Sequence, residues 1–457
     1  MSTKDSADGW KAVFKAYDVR GVVPEEWDED LAHRIGNAFV SVTGSPALVV
    51  GWDMRPSSPG LAAAFADGAA VAGADVTMLG LVSTDELYFA SGRLDRAGAM
   101  FTASHNPAQY NGIKMCRSGA RPIGADTGLL AIRDAVAAGE TRTAETKGAI
   151  DERDVLVDYA EHLRTLAPVG GRPLTVVVDA GNGMAGLTAP AVLDPLHERL
   201  RMIPLYFELD GTFPHHEANP IDPANLRDLQ AAVVSEQADL GLAFDGDADR
   251  CFVVDERGEA VSPSTLTALI AARTLAREPG ATIIHNLITS RAVPEMVREL
   301  GGTAVRTRVG HSFIKATMAD TDAAFGGEHS GHYYFRDFWR ADSGMLAALH
   351  ALAAVAETTR PPSALFADYE RYAVSGEINS TVTEVRAVLA RVEAAYADRD
   401  DVEIDHLDGL TVEHPSWSFN LRPSNTEPLL RLNAEGRDTD TMTAVRDEVL
   451  DLVRSPE

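Results

Sequence analysis

Leu174-Thr175-Val176-Val177-Val178 runs without interruption into Asp179-Ala180-Gly181-Asn182-Gly183, an apolar stretch followed by a Gly-rich bend and then by an Ala-rich amphipathic segment. The apolar residues are continuous rather than alternating, the pattern of a strand covered on both faces. Ala47 to Val50, leading into Gly51-Trp52-Asp53-Met54-Arg55-Pro56-Ser57, follows the same order, as does Thr282 to Ile284 leading into His285-Asn286-Leu287-Ile288-Thr289-Ser290. Three α/β units of similar build are therefore expected. After Pro362 the texture changes. Helix-period segments at 384–396 and 441–453 flank short runs at 402–404, 410–413, 417–421 and 429–433, which predicts a smaller α+β unit with an antiparallel sheet. Polar or turn-rich linkers at 139–152, 255–263 and 357–362 set the expected domains at 1–150, 151–255, 256–365 and 366–457.

Size and charge agree with several domains. The chain has 457 residues, beyond the roughly 250 to 300 at which a single core stops growing. Its net charge of −27 disfavours nucleic acid or an anionic membrane as a partner. An anionic substrate stays open, because charges beyond a Debye length of about 8 Å are largely screened. Only two cysteines occur, Cys116 and Cys251, without metal or redox spacing, as expected in a reducing cytoplasm. The N-terminal segment has no apolar signal core, and the richest apolar run, Met345 to Ala356, is too short to span a bilayer. No obligatory protein partner is evident.

Four loops carry chemistry. The first is Thr102-Ala103-Ser104-His105-Asn106-Pro107. Asn106-Pro107 stops regular structure, and Asn111-Gly112 is a tight-turn signal before Ile113 to Cys116 resumes an apolar run. Ser104 is thereby expected on a loop tip, as a nucleophile or as a plain turn residue. Lys114 lies nearby in sequence, in a chain whose cations are mostly arginine. The second loop, Asp245-Gly246-Asp247-Ala248-Asp249-Arg250, places carboxylates at alternate positions, a set able to converge on one Mg²⁺ ion. An EF-hand is the main competitor, disfavoured by Arg250 at the position that needs glycine and by the strand-like Cys251 to Val254 that follows; a solvated acidic turn is the other reading. The third, Gly326-Gly327-Glu328-His329-Ser330-Gly331-His332, offers donors and acceptors suited to sugar hydroxyls, and equally makes an ordinary turn. The fourth, Arg422-Pro423-Ser424-Asn425-Thr426, suits a phosphate cradle or a hairpin loop, with Arg431 close by.

Taken together and in order, these loops resemble the α-D-phosphohexomutases, in particular the phosphomannomutase/phosphoglucomutase branch. The resemblance also takes in Tyr17-Asp18-Val19-Arg20-Gly21, Asn111-Gly112-Ile113-Lys114 and Gly310-His311-Ser312, and so covers nearly the whole chain. It implies three α/β domains of shared topology plus a smaller C-terminal α+β domain around a central cleft. It implies a phosphoserine at Ser104, and Mg²⁺ held by Ser104, Asp245, Asp247 and Asp249. It assigns catalytic roles to Ser104, Lys114, Arg20, His311 and Arg250, with Lys114 or His311 as general acid/base. Tyr17, Glu328, Ser330, His332, Arg422, Ser424, Asn425 and Thr426 then bind substrate.

The implied reaction interconverts hexose 1-phosphate and hexose 6-phosphate, of mannose and/or glucose, in the cytoplasm, with hexose 1,6-bisphosphate as intermediate and activator. Alternatives are a phosphoglucosamine mutase or a non-catalytic sugar-phosphate sensor. A hydrolytic phosphatase is disfavoured, because a serine phosphoenzyme in a closed cleft should exclude water. Two departures stand out: Ala248 where many relatives have glycine, and His329 at a position related to substrate choice.

Overall fold

The computed structural model describes residues 9–423 and 429–455, with the backbone alone at His311 and Ser312. Two compact units result, Met1–Leu266 with Ser330–Leu365, and Thr267–His329 with Phe366–Glu457.

In the first unit, strands Asp75–Leu81, Ala47–Trp52 and Ala97–Phe101 lie parallel in that spatial order, and Tyr110–Arg117 joins the last of them antiparallel. Val19–Val22 and Ile150–Glu152 complete the edges. The second sheet repeats the plan: Leu200–Leu205, Leu174–Asp179 and Leu240–Phe244 are parallel, and Cys251–Val254 returns antiparallel. In the second unit Thr303–Thr307, Thr282–Asn286 and Phe325–Gly327 again run parallel in the same order. The chain then passes through 328–332 to the strand Tyr333–Phe335. The continuous apolar segments at 47–50, 174–178 and 282–284 are thus in the middle parallel strands of three sheets, buried as their hydrophobicity requires. Each sheet places one of the candidate loops at the carboxyl end of its third parallel strand, where α/β proteins build their sites. The apolar run at 345–356 is a helix, Gly344–Ala356, buried along its whole length and capped by Ser343, whose hydroxyl accepts from Leu346 N. Among the described residues no helix is long and apolar enough to cross a membrane.

The C-terminal region is antiparallel throughout, in the order Ala373–Thr381, Leu429–Gly436, Trp417–Pro423, Leu410–His414, Glu403–Asp405. Helices Val385–Tyr396 and Thr439–Arg454 bury Val388, Val392, Val445 and Val449 with Leu421, Leu430 and Leu432. The α+β expectation holds here, with one strand more than the sequence indicated.

Two local expectations are corrected. Asn111-Gly112 is not a turn: both residues lie inside the strand Tyr110–Arg117. Asn111 donates from Nδ2 to Ser57 Oγ at 2.8 Å and to Ser58 Oγ at 2.9 Å. Gly112 is needed for close approach, because a Cβ there would sit 2.2 Å from Val19 O. Nor is Ser104 on an exposed tip. It is 5% exposed, with a left-handed φ of 49° that costs a non-glycine residue energy.

Candidate active site

Ser104 and the acidic loop meet within the first unit. Ser104 Oγ donates to Asp245 Oδ2 at 2.6 Å. Lys114, projecting from the strand antiparallel to Ala97–Phe101, places Nζ 2.6 Å from both Asp247 Oδ2 and Asp249 Oδ2. Arg250 donates from Nε to Asp245 Oδ2 at 2.9 Å, and its backbone N–H binds Asp245 Oδ1 at 3.1 Å. The loops touch closely because Gly246 has no side chain: a Cβ there would lie 2.4 Å from Ser104 O. Arg20 donates to Ala103 O at 3.1 Å and Asn106 Oδ1 at 2.6 Å and pairs with Asp18, so its guanidinium borders the serine loop from the first edge strand. Tyr17 lies half-buried in the bend that precedes that strand.

Burial governs the electrostatics. Asp245, Asp247 and Asp249 are all essentially inaccessible. Burial, reinforced by its two acidic neighbours, pushes Asp245 up to about 7 against the pull of Arg250. For Asp247 burial acts upward too, but Lys114 overrides it and holds the carboxyl below its usual range. Lys114 is the converse, since burial opposes its charge while Asp247 and Asp249 keep it an ammonium well above its ordinary value.

One carboxylate oxygen from each of the three aspartates lies within 4.8 Å of the others. Asp247 Oδ1 and Asp249 Oδ1 are buried and accept no hydrogen bond; His332 Nε2 lies 3.5 Å from the latter. Three carboxylates face two permanent cations, Lys114 and Arg250, an imbalance that burial makes expensive. An all-oxygen, net-negative cage of this kind fits a hard divalent cation. Asp249 also belongs to a second grouping with His332 and Asp342, whose imidazole makes it less suited to such an ion.

The third loop is divided between the units. His332 lies beside the aspartates, with Ser330 Oγ 3.1 Å from its Nδ1, and its backbone bridges to Arg250. Glu328, in the second unit, accepts from Asn286 Nδ2 at 3.0 Å and from Gly310 N at 3.3 Å. His311 begins the helix His311–Thr321. In the C-terminal sheet Arg422 stands directly opposite Arg431. Both reach Glu377, Arg422 Nη2 at 2.9 Å and Arg431 Nη1 at 3.3 Å. Ser424, Asn425 and Thr426, and the side chain of His311, lie outside the described residues.

Two residues without an assigned role in the sequence reading, His105 and Thr84, stand at the site. His105 Nδ1 is 3.2 Å from Ser104 Oγ, and the nearby Arg250, together with burial, holds this imidazole well below its ordinary value and so neutral. Thr84 grips Asp247 twice, Oγ1 donating to Oδ2 at 2.6 Å and its N–H to the Asp247 carbonyl at 3.0 Å. The available signal was Ser83-Thr84-Asp85-Glu86, a helix start in which the Ser83 hydroxyl caps Glu86 N.

Three sheets of one strand order, with a hydroxyl and three carboxylates meeting at the loops of two of them, define a multidomain α/β enzyme. Models of the phosphoglucomutase/phosphomannomutase family match the chain in sequence: α/β/α domain I at 11–143, II at 157–258, III at 262–372 and the C-terminal domain at 377–452. A protein of Xanthomonas campestris pv. campestris named for phosphohexose mutases is 43% identical over 96% of this chain and 99% of its own. A phosphomannomutase/phosphoglucomutase of Pseudomonas aeruginosa is 36% identical over 98% and 96%. The crystal structure of a family protein from Burkholderia thailandensis superposes with a TM-score of 0.89 at 33% identity, covering 97% of this chain and 98% of that one. The chain belongs to the phosphoglucomutase/phosphomannomutase family.

Proposed function

We propose that this enzyme is a phosphohexomutase interconverting hexose 1-phosphate and hexose 6-phosphate, with mannose and/or glucose as the sugar, by way of a phosphoserine at Ser104 and a bound hexose 1,6-bisphosphate. The observation that carries the reading is Ser104 Oγ held 2.6 Å from Asp245 Oδ2. This buried hydroxyl lies against a carboxylate cage, at the loop of one α/β sheet facing the loop of the next. Relatives named phosphomannomutase and phosphomannomutase/phosphoglucomutase over nearly the full chain support the substrate class.

Phosphoryl transfer asks a protein mainly for positioning and for neutralisation of charge. Asp245, Asp247, Asp249 and the Ser104 oxygen would hold Mg²⁺, which when bound offsets charge on the transferring group. Arg250 and Arg20 supply fixed positive charge around Ser104. Lys114 or His311 exchanges the proton of the reacting sugar hydroxyl, and His105 orients the serine oxygen. Phospho-Ser104 passes its phosphoryl group to the sugar phosphate, the bisphosphate turns over, and the other phosphate returns to Ser104, so no phosphate is consumed. Tyr17, Glu328, Ser330 and His332 contact the sugar in either orientation, while Arg422 with Ser424, Asn425 and Thr426 grips the phosphate that is not reacting. The domain limits 1–150, 151–255, 256–365 and 366–457, one loop to each, belong to the same proposal, as does a cytoplasmic setting where hexose phosphates are found.

Ser104→Ala is expected to abolish turnover nearly completely while leaving sugar-phosphate binding intact. Mass spectrometry of the wild-type peptide containing Ser104 should show a phosphate that hexose phosphate removes. Full activity of the variant, or an unmodified peptide throughout turnover, would remove the phosphoserine. Parallel assays with the 1-phosphates of mannose, glucose and glucosamine assign the sugar.

A further inference from the structure

We infer that Arg55 is a positioning residue for the phosphoryl-transfer step, moulding the Ser104 loop without touching substrate, and that Phe213 from the following domain locks it in place. Arg55 lies in the bend after the strand Ala47–Trp52 and is 1% exposed. Each of its five N–H donors is used. Nε donates to Asp53 Oδ2 at 3.1 Å. Nη1 donates to Pro107 O at 2.8 Å and Tyr110 O at 3.0 Å, and Nη2 to Ser104 O at 2.9 Å and Asn106 O at 2.7 Å. Four carbonyls between Ser104 and Tyr110, three from the loop and one from the start of the next strand, therefore point at one planar cation, including that of the serine itself.

The fork geometry explains why the cation is arginine. A guanidinium offers five donors fixed in a plane, whereas an ammonium offers three on a flexible stem. Converging carbonyl dipoles repel one another, and a buried charge at their focus removes that cost while fixing the turn. Ser104 is held left-handed at φ 49°, a strained state that persists only where the surroundings over-determine it. Asp53 supplies the counter-charge and is itself held by Ser58 Oγ at 2.6 Å and Arg55 N at 3.1 Å.

The second domain closes the arrangement. Phe213 places its ring 5.1 Å from the Arg55 guanidinium carbon, a cation–π contact, and is itself left-handed at φ 51°. Two residues earlier, a Cβ on Gly211 would lie 2.6 Å from Arg55 Cα. The loop bearing the hydroxyl is thus set by one domain and clamped by the next, the same domain that carries the aspartates.

Arg55 matters to turnover in this way only if Ser104 is the phosphoryl carrier proposed above. The decisive variant is Arg55→Lys, which keeps the charge and loses the fork. Because misplacement of a reacting group by about 1 Å can cost about 100-fold, kcat is expected to fall about 100-fold. KM for hexose 1-phosphate should stay within about twofold, with the rate of Ser104 phosphorylation by hexose 1,6-bisphosphate falling in step with kcat. Ethylguanidinium added to Arg55→Ala should restore part of kcat, as simple loss of stability would not allow. Wild-type kcat in folded Arg55→Lys, or a loss confined to KM, overturns the inference. Should Arg55→Lys fail to fold, Phe213→Leu decides, with a loss in kcat of about threefold or more at unchanged KM supporting it and an unchanged kcat overturning it. Ser104→Ala run alongside separates the two levels. An active Ser104→Ala defeats the carrier assignment, whereas an inactive one beside a fully active Arg55→Lys defeats only the role of Arg55.

Discussion

Two small residues in the metal-type loop obey opposite rules. Gly246 is required by proximity, with 2.4 Å between a notional Cβ and Ser104 O. Gly246→Ala is therefore expected to push the two loops apart and lower kcat about 100-fold, checked by kinetics on protein whose circular dichroism is unchanged; near-normal kcat would contradict the close approach. Ala248 is buried at φ 60°, a left-handed conformation costing an L-residue about 1–2 kcal/mol, set against the roughly 0.5–1 kcal/mol by which glycine's extra chain freedom penalises folding. Ala248→Gly should stabilise the enzyme by up to about 1 kcal/mol, read as a higher urea midpoint, and a lower midpoint would count against the strain. At this scale the aspartates were legible because three carboxylates at alternate positions fall within one loop. His105 was not, since a rotamer decides whether its ring reaches Ser104, and Thr84 and Arg55 were not, since their partners come from loops that only the tertiary fold brings near.

At the scale of elements, three helices are tied at one carboxyl. Asp85, in the first turn of Thr84–Leu94, accepts from Tyr159 OH of Leu156–Leu166 at 2.8 Å, from Ser343 Oγ capping Gly344–Ala356 at 2.6 Å, and from Ser83 Oγ at 2.5 Å. Burial pushes Asp85 up from its ordinary 3.8 to about 7 despite these donors. Between those values the folded chain retains a proton that the unfolded chain releases. The stability owed to this group is thus complete below pH 3.8 and is lost as pH rises toward 7. Asp85→Asn should remove that slope, so that wild type loses stability relative to the variant across the window; parallel urea-melt profiles from pH 4 to 8 would contradict it. The buried parallel strands were legible as continuous apolar runs. Ala373–Thr381 was not: it is an edge strand, largely exposed, with a register shift between Val374 and Glu377, so neither periodicity nor hydrophobicity marks it. Asn111-Gly112 misled for the opposite reason, a turn-forming pair serving a strand interior where backbone must pass close to backbone.

For the whole molecule, length and linkers made several domains legible, whereas the division into two compact units depends on packing that no linker announces. The third sheet's loop belongs to both units, breaking between His329 and Ser330. Arg422 and the aspartates lie in different units, so Arg422→Ala is expected to raise KM about tenfold or more, the loss of a charge-assisted contact of roughly 1.5–3 kcal/mol. Mn²⁺ affinity measured by calorimetry should not change, and a matched loss of metal binding would contradict the separation. The thrice-used strand order carries a hazard of its own. Ala47–Trp52, Leu174–Asp179 and Thr282–Asn286 each need a parallel neighbour on either side, and in a denatured chain each can take a neighbour belonging to another sheet. Ribosomal synthesis presents these strands one domain at a time, so the newborn protein escapes a competition for partners that dilution from denaturant imposes all at once.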